Sequence, residues 1–201
     1  MRGSRLSRLV FLQTSRCCSS HAAKLKTDIL AKALSYHSTL GWTEEAIVQS
    51  VKDLNINPVS HTIIDRGAVE IVEYLLQQKH EYIMLKVKEL NDDLAPFSAP
   101  SNEDTLDRQK KVLKCALNAS LDFMEPYRTN WASALALLLA PAQIPRTLEA
   151  THSTVDSVCA AADIRGARYD WYAEHAAVAT LVSMTEFHLV QDTSDNLQDT
   201  R

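Results

Sequence analysis

Glycine and proline are scarce in this 201-residue chain, four and six respectively, and aromatic residues make up only 6%. So few turn-forming residues exclude a sandwich or barrel of short strands, which needs turn signals at regular intervals. No apolar run approaches the ~20 residues of a membrane-spanning helix; the longest, Trp131 to Ala142, already contains Ser133. There is no phosphate-cradling glycine loop, no Gly-x-Ser-x-Gly and no Cys-x-x-Cys. Those absences argue against nucleotide, serine-hydrolase and dithiol chemistry. A protein that is not an enzyme, without cofactor or metal, is expected.

Acidic residues are also missing from the front of the chain, where the first is Asp28. Residues 1–22 hold Arg2, Arg5, Arg8, Arg16 and five serines, with Leu6, Leu9 and Val10 free to face away from the arginines. An Arg-rich, Ser-rich, acid-free amphipathic start is the pattern of a mitochondrial transit peptide. Without its four arginines the net charge moves from −4 to −8, with 17 basic against 25 acidic residues. Cys17 and Cys18 belong to the same segment. Cys115 and Cys159 stand alone in helical patterns and read as core thiols of a reducing compartment.

What is present is helical periodicity. About eight helices are predicted, and the class is all-α. The first runs from Lys24 to Leu40 and ends at Gly41. Thr43 caps the second, Pro58 opens a short third, and Gly67 closes it. Val69, Val72, Leu76, Ile83, Val87, Leu90 and Leu94 then form one stripe of a long helix. "DDLAPFSAPSNED" reads as a linker, with Ser101 as the next cap. Further helices reach Met124, span Tyr127 to Ala140, run to about Asp163, and extend from Trp171 to Gln191. The organisation expected is 1–22 transit peptide, 23–67 a helix-turn-helix-like part, and 68–201 a larger ligand-binding helical part.

"GWTEEAIVQSVKDLNINPVSHTIIDRG" (41–67) has the helix-turn-helix layout of tetracycline-repressor-type regulators, and such a DNA-binding regulator is the alternative function. A DNA reader needs surplus lysine and arginine around its second helix. Between Lys24 and Gly67 five bases face five acids, so there is no surplus for counterion release. No nucleic-acid partner is expected. "EATH" (Glu149 to His152) is half of a di-iron bundle motif. The second half is missing, because Tyr172 precedes His175 and Thr185 precedes His188 by three.

Apolar density rises after Tyr127, in "WASALALLLAPAQIPRTLEA" and again in "AAVATLVSM". Two arrangements fit: an ordinary packed core, or an elongated cavity in which small residues leave room for a lipid tail. In "RYDWYAEH", Asp170 is placed to cap the last helix. Trp171 and Tyr172 lie about 100° apart around it, so at least one should reach the surface, where such residues favour interfaces.

The pattern W-x-x-A-L-x-x-L-x-x-P-x-x-I-P-x-x-L from Trp131 to Leu148, with "DWY" (170–172), "TE" (185–186) and "QDTS" (191–194), resembles a known family. So do "GWTEEAIVQSVKDL" and "RGAVEIVEYLLQQ". It is the family of ubiquinone (coenzyme Q) biosynthesis accessory proteins with a tetracycline-repressor-like fold. The resemblance implies a mitochondrial protein, peripheral on the matrix face of the inner membrane. Such a protein binds isoprenoid quinones or phospholipid and presents quinone intermediates to the demethoxyubiquinone hydroxylase. It implies lipid contact by Trp131, Leu135, Leu138, Leu139, Ile144, Leu148, Val178, Leu181 and Val182, and hydroxylase contact by Asp170, Trp171 and Tyr172. A homodimer is left open. Glu174 and His175 depart from the basic residues common after the family's Trp-Tyr pair. The given sequence stops at Arg201, before the family's C-terminal amphipathic helix, so weaker membrane attachment is expected.

Overall fold

The structure, a computed structural model, describes residues 21–94, 102–164, 169–192 and 194, with 102–104, 169 and 170 described for their backbone alone. It is helical throughout, as expected. The elements are α1 (21–34), α2 (Glu44–Asp53), a 3-10 turn η1 (Pro58–Ile63), α3 (Val69–Leu94), α4 (Asn102–Met124), a second 3-10 turn η2 (Glu125–Tyr127), α5 (Arg128–Leu138), α6 (Ile144–Ala161) and α7 (Tyr169–Gln191). No strand occurs among the described residues. The transit segment (but for its last two residues), the Ser101 cap and the capping side chain of Asp170 lie outside the described residues.

The chain divides into two compact units at Tyr74–Leu75, within α3. The first unit buries Ile29, Ala33, Trp42, Ala46, Ile47, Val51, Ile71 and Val72. Its details differ from the sequence expectation in three places. The first helix ends at residue 34 rather than Leu40. Beyond it Ser35, Tyr36 and His37 donate their backbone N–H groups three residues back, to Lys32, Ala33 and Leu34, which unwinds the helix into turns. Thr43 does occupy the N-cap of α2, but its side chain makes no cap; its hydroxyl donates to the Leu40 carbonyl instead, at 3.1 Å. The third helix is a six-residue 3-10 turn, capped by the Asn57 side chain, which accepts from Val59 N at 3.1 Å. Gly67 closes the segment at φ +63°, where a Cβ would lie 2.8 Å from Glu44 Oε1. Only glycine suits that position.

Deep in this unit the Glu70 carboxylate, 3% exposed, receives Lys26 Nζ at 2.5 Å, Arg66 Nε at 3.7 Å and the Arg66 backbone N–H at 3.1 Å. Arg66 also grips Glu73 with both guanidinium nitrogens, and that carboxylate holds its pKa above the ordinary arginine value.

In the second unit α6 packs along α7, and both pack on α4. Ile83, Val87, Val112, Ala116, Val155, Val158, Cys159 and Val178 form the shared core. α3 and α4 run antiparallel. Cys115 Sγ sits 3.8 Å from the Lys86 carbonyl, while the rings of Tyr82 and Phe123 meet at 5.6 Å. Pro145 stands in the first turn of α6, where its missing N–H costs nothing. At the other end of α6, Asn91 donates to the Ala161 carbonyl at 3.1 Å and Gln109 to that of Asp163 at 3.4 Å. The first of these bonds serves a carbonyl the helix leaves orphaned.

Candidate functional site

α3, α4, α6 and α7 leave an apolar slot between them in the second unit. Its walls are Lys79 and Ile83 from α3, Leu113, Ala116, Leu117 and Ser120 from α4, Thr154 and Val158 from α6, and Val178, Leu181 and Val182 from α7. Empty space amounts to about 430 Å³ when the open mouth is counted, but a water-sized sphere has only about 30 Å³ of room inside. Cavities that bind benzene are about 150 Å³. The slot is therefore narrow as it stands, and Leu181, 48% exposed, forms part of its outer wall.

The nine residues assigned to lipid contact separate into three groups. Val178, Leu181 and Val182 line the slot. Trp131 and Leu138 are buried on the inward face of α5 with Ala134, and Leu135 is half-buried beside them. Leu139, Ile144 and Leu148 are exposed around the turn from α5 to α6, Leu148 most of all. α5 is thus a one-sided helix: its inward stripe of Trp131, Ala134 and Leu138 repeats at three and four residues, and the remaining apolar side chains are left partly or fully outside. Trp131 carries a buried indole N–H with no hydrogen-bond partner among the described residues.

The sequence reading passed over Lys79. It falls on the buried stripe of α3, Val72–Leu75–Lys79–Ile83–Val87, and is 5% exposed. Its ammonium donates to Glu186 of α7 across the edge of the slot. Lysine is almost never fully buried unless paired, and the pairing residue lies 107 positions away, so local pattern carries no signal for it. Ser120, 6% exposed, lines the same slot and makes no hydrogen bond to a described residue.

Two turns from the slot, α7 carries the aromatic pair. Tyr172 is 69% exposed and meets the Trp171 ring edge-on at 4.8 Å. Trp171 is half-buried and lies over the His175 ring at 4.0 Å. His175 is fixed from both sides, with Nδ1 2.9 Å from the Trp171 carbonyl and Nε2 3.2 Å from Asp156 Oδ1 of α6. Tyr172 is the member of the pair that reaches solvent.

The remaining motifs gather no chemistry. Glu149 and His152 are both exposed, and among the described residues no three His, Cys, Asp or Glu come together to hold a metal ion. Where a regulator would carry its reading helix stands the short η1. Burial pushes the Cys115 thiol up, and pushes that of Cys159 up to about 11, aided there by Asp156 and Glu174. No described helix is long and apolar enough to cross a membrane.

The COQ9 family model matches residues 144–201. Over 85% of its length the chain is 27% identical to the ubiquinone biosynthesis protein COQ9, mitochondrial, of Drosophila melanogaster. Over 88% it is 26% identical to the human protein of that name. A probable ubiquinone biosynthesis protein coq9, mitochondrial, of Dictyostelium discoideum is 26% identical over 85% of the chain. Its relatives are COQ9 proteins. The chain spans about half the length of the curated relatives it matches, 50% of the fly protein and 54% of the other two. The stretch matching the COQ9 family model includes α6 and α7, and with them Thr154, Val158, Val178, Leu181 and Val182 of the slot, Glu186, and the Trp171–Tyr172 pair.

Proposed function

We propose that this chain is a lipid-binding accessory protein of ubiquinone biosynthesis. It acts in the mitochondrion, at the matrix face of the inner membrane, and presents an isoprenoid quinone intermediate to the demethoxyubiquinone hydroxylase. The observation that carries the proposal is the apolar slot along α7, in a chain whose relatives are named for ubiquinone biosynthesis and for mitochondria. It is not itself an enzyme in this reading. The task is one of solvation: each methylene taken from water into an apolar lining gains about 0.8 kcal/mol, enough for a lined groove to compete with a bilayer.

A prenyl unit does not fit into 30 Å³, so binding includes widening, with the half-exposed Leu181 as the wall that yields. Trp171 and the exposed Tyr172 provide the hydroxylase contact, with Asp170 beside them. Large aromatics on a fixed helix end supply interface area at low entropic cost.

Organic extraction of the purified chain followed by mass spectrometry tests the lipid reading. Isoprenoid quinone or phospholipid is expected. An empty preparation that also takes up no lipid from added vesicles would overturn it. For the partner contact, Trp171→Ala should lower co-purification with the hydroxylase at unchanged helicity.

A further inference from the structure

His175 is 8% exposed, and both of its ring nitrogens face oxygen. Nδ1 lies 2.9 Å from the Trp171 carbonyl and Nε2 lies 3.2 Å from Asp156 Oδ1. A backbone carbonyl and a carboxylate only accept hydrogen bonds, and a neutral imidazole has a single N–H to give. In the neutral ring one nitrogen would set its lone pair against an oxygen. The imidazolium donates at both nitrogens and satisfies both oxygens.

The same ring lies over Trp171, with centroids 4.0 Å apart and planes at 33°. A cation against an indole face is attracted by the ring quadrupole. The proton that completes the two hydrogen bonds therefore strengthens the stack as well. One line of contact runs from Asp156 on α6 through His175 to Trp171, and from there edge-on to the exposed Tyr172.

The charges around the ring suit a cation. Asp156 comes from α6 and Glu174 precedes His175 on α7; both act on the nearby Cys159 thiol, which stays neutral to about 11. His152, one turn before Asp156, is exposed. At this end of the bundle α4 carries Arg108, which bonds Asn91 at 3.1 Å, and Lys110, which pairs with Asp107 at 3.6 Å. α5 brings only Arg128, which donates to the Ser194 carbonyl beyond the far end of α7.

We propose that His175 is a proton-dependent positioning residue: its imidazolium, tied to Asp156, fixes the Trp171 ring and so presents the aromatic pair to the partner. This rests on the hydroxylase contact proposed for Trp171 and Tyr172, and adds to it a control by protons.

The test uses the full chain and two readouts. The emission of Trp171, taken as the difference between wild type and Trp171→Phe, should change between about pH 5 and 8, where histidine ordinarily changes charge. His175→Gln should abolish that change. Asp156→Asn, at a side chain 55% exposed, serves if the first variant does not fold. Its amide can donate to a neutral Nε2, so the change should move to lower pH by about one unit, the equivalent of one hydrogen bond to a charged group. Affinity for the purified hydroxylase, read against His175→Gln to remove the titration of the hydroxylase itself, should fall about tenfold as pH rises through the same range. An emission change that survives His175→Gln, or keeps its midpoint in Asp156→Asn, would overturn the proposal. One affinity profile shared by wild type and His175→Gln would overturn the control by protons. Absence of hydroxylase binding at every pH, with emission still governed by His175, would instead sink the partner contact and leave the positioning of Trp171 standing.

Discussion

In each unit of this chain a charged side chain of α3 is buried, Glu70 in the first and Lys79 in the second, and the two are completed in different ways. In the first, the Glu70 carboxylate is 3% exposed and is met by Lys26, by the Arg66 side chain and by the Arg66 backbone N–H. In the second, the Lys79 side chain is 6% exposed and among the described residues is met by Glu186 alone, beside an apolar slot. Both burials carry a desolvation cost. The first is spent on a closed cluster that fixes α1 to the start of α3. The second rests on one described partner, at the edge of an apolar slot. Saturation, rather than burial, is the property that separates them.

The largest expected effect breaks the second pairing. Glu186→Leu alone strands a buried ammonium and should cost about 3–5 kcal/mol in urea denaturation, most of it regained when Lys79→Met is added. A single-variant loss below ~1 kcal/mol would mean that water reaches the pair freely, and the contrast with Glu70 would dissolve. Glu70→Ala comes next. Its partners Lys26 and Arg66 are 34% and 27% exposed and can rehydrate, so about 1–3 kcal/mol is expected. Uptake of decylubiquinone should not change, since that cluster serves the fold alone.

Smaller changes sharpen the same contrast within the second unit. Leu181→Trp should fill the slot and abolish lipid uptake with little change in thermal midpoint, because residue 181 is half exposed already. Leu148→Trp, at an exposed position outside the slot, should leave uptake as it was; equal loss from both would move the site to the α5–α6 turn. At the aromatic end, His175→Ala removes the ring stacked on Trp171 and should cost about 1 kcal/mol. Co-purification with the hydroxylase should fall with it, even though Tyr172 is untouched.

Much of the fold was legible because it depends on local chemistry. Gly41, Pro58 and Gly67 mark breaks where the backbone requires them, and the periodicity of α3 needs no tertiary knowledge. Thr43 shows the limit: its position was right and its bond was not, since a hydroxyl chooses among nearby carbonyls that only the folded turn brings close. α5 is less legible: its apolar composition does not say which face packs inward, and Trp131 became core while Leu139 stayed half exposed. Of the site, the α7 walls were legible as small and large residues in alternation. Lys79 was not, because a lysine in a stripe reads as solvent-facing until Glu186, 107 residues away, supplies its counter-charge.

The mildest effect probes the dielectric that gives the Lys79 pair its cost. Cys159 is fully buried next to Val158 of the slot and has no counter-charge, so desolvation first, then Asp156 and Glu174, raise its pKa from 9.0 to about 11. The unfolded chain ionises this thiol near 9.0 while the native chain keeps it neutral to about 11. Above the lower value the unfolded state binds fewer protons, so stability must fall as pH rises across that window. Cys159→Ala should flatten that part of the pH profile, measured by urea midpoint, against an unchanged background from the other groups. Alkylation at mildly alkaline pH should label half-buried Cys115 well before Cys159. If Cys159 instead reacts as fast as Cys115, water penetrates the core beside the slot. Lys79 would then be solvated from within, and its single partner would no longer mark it as different from Glu70.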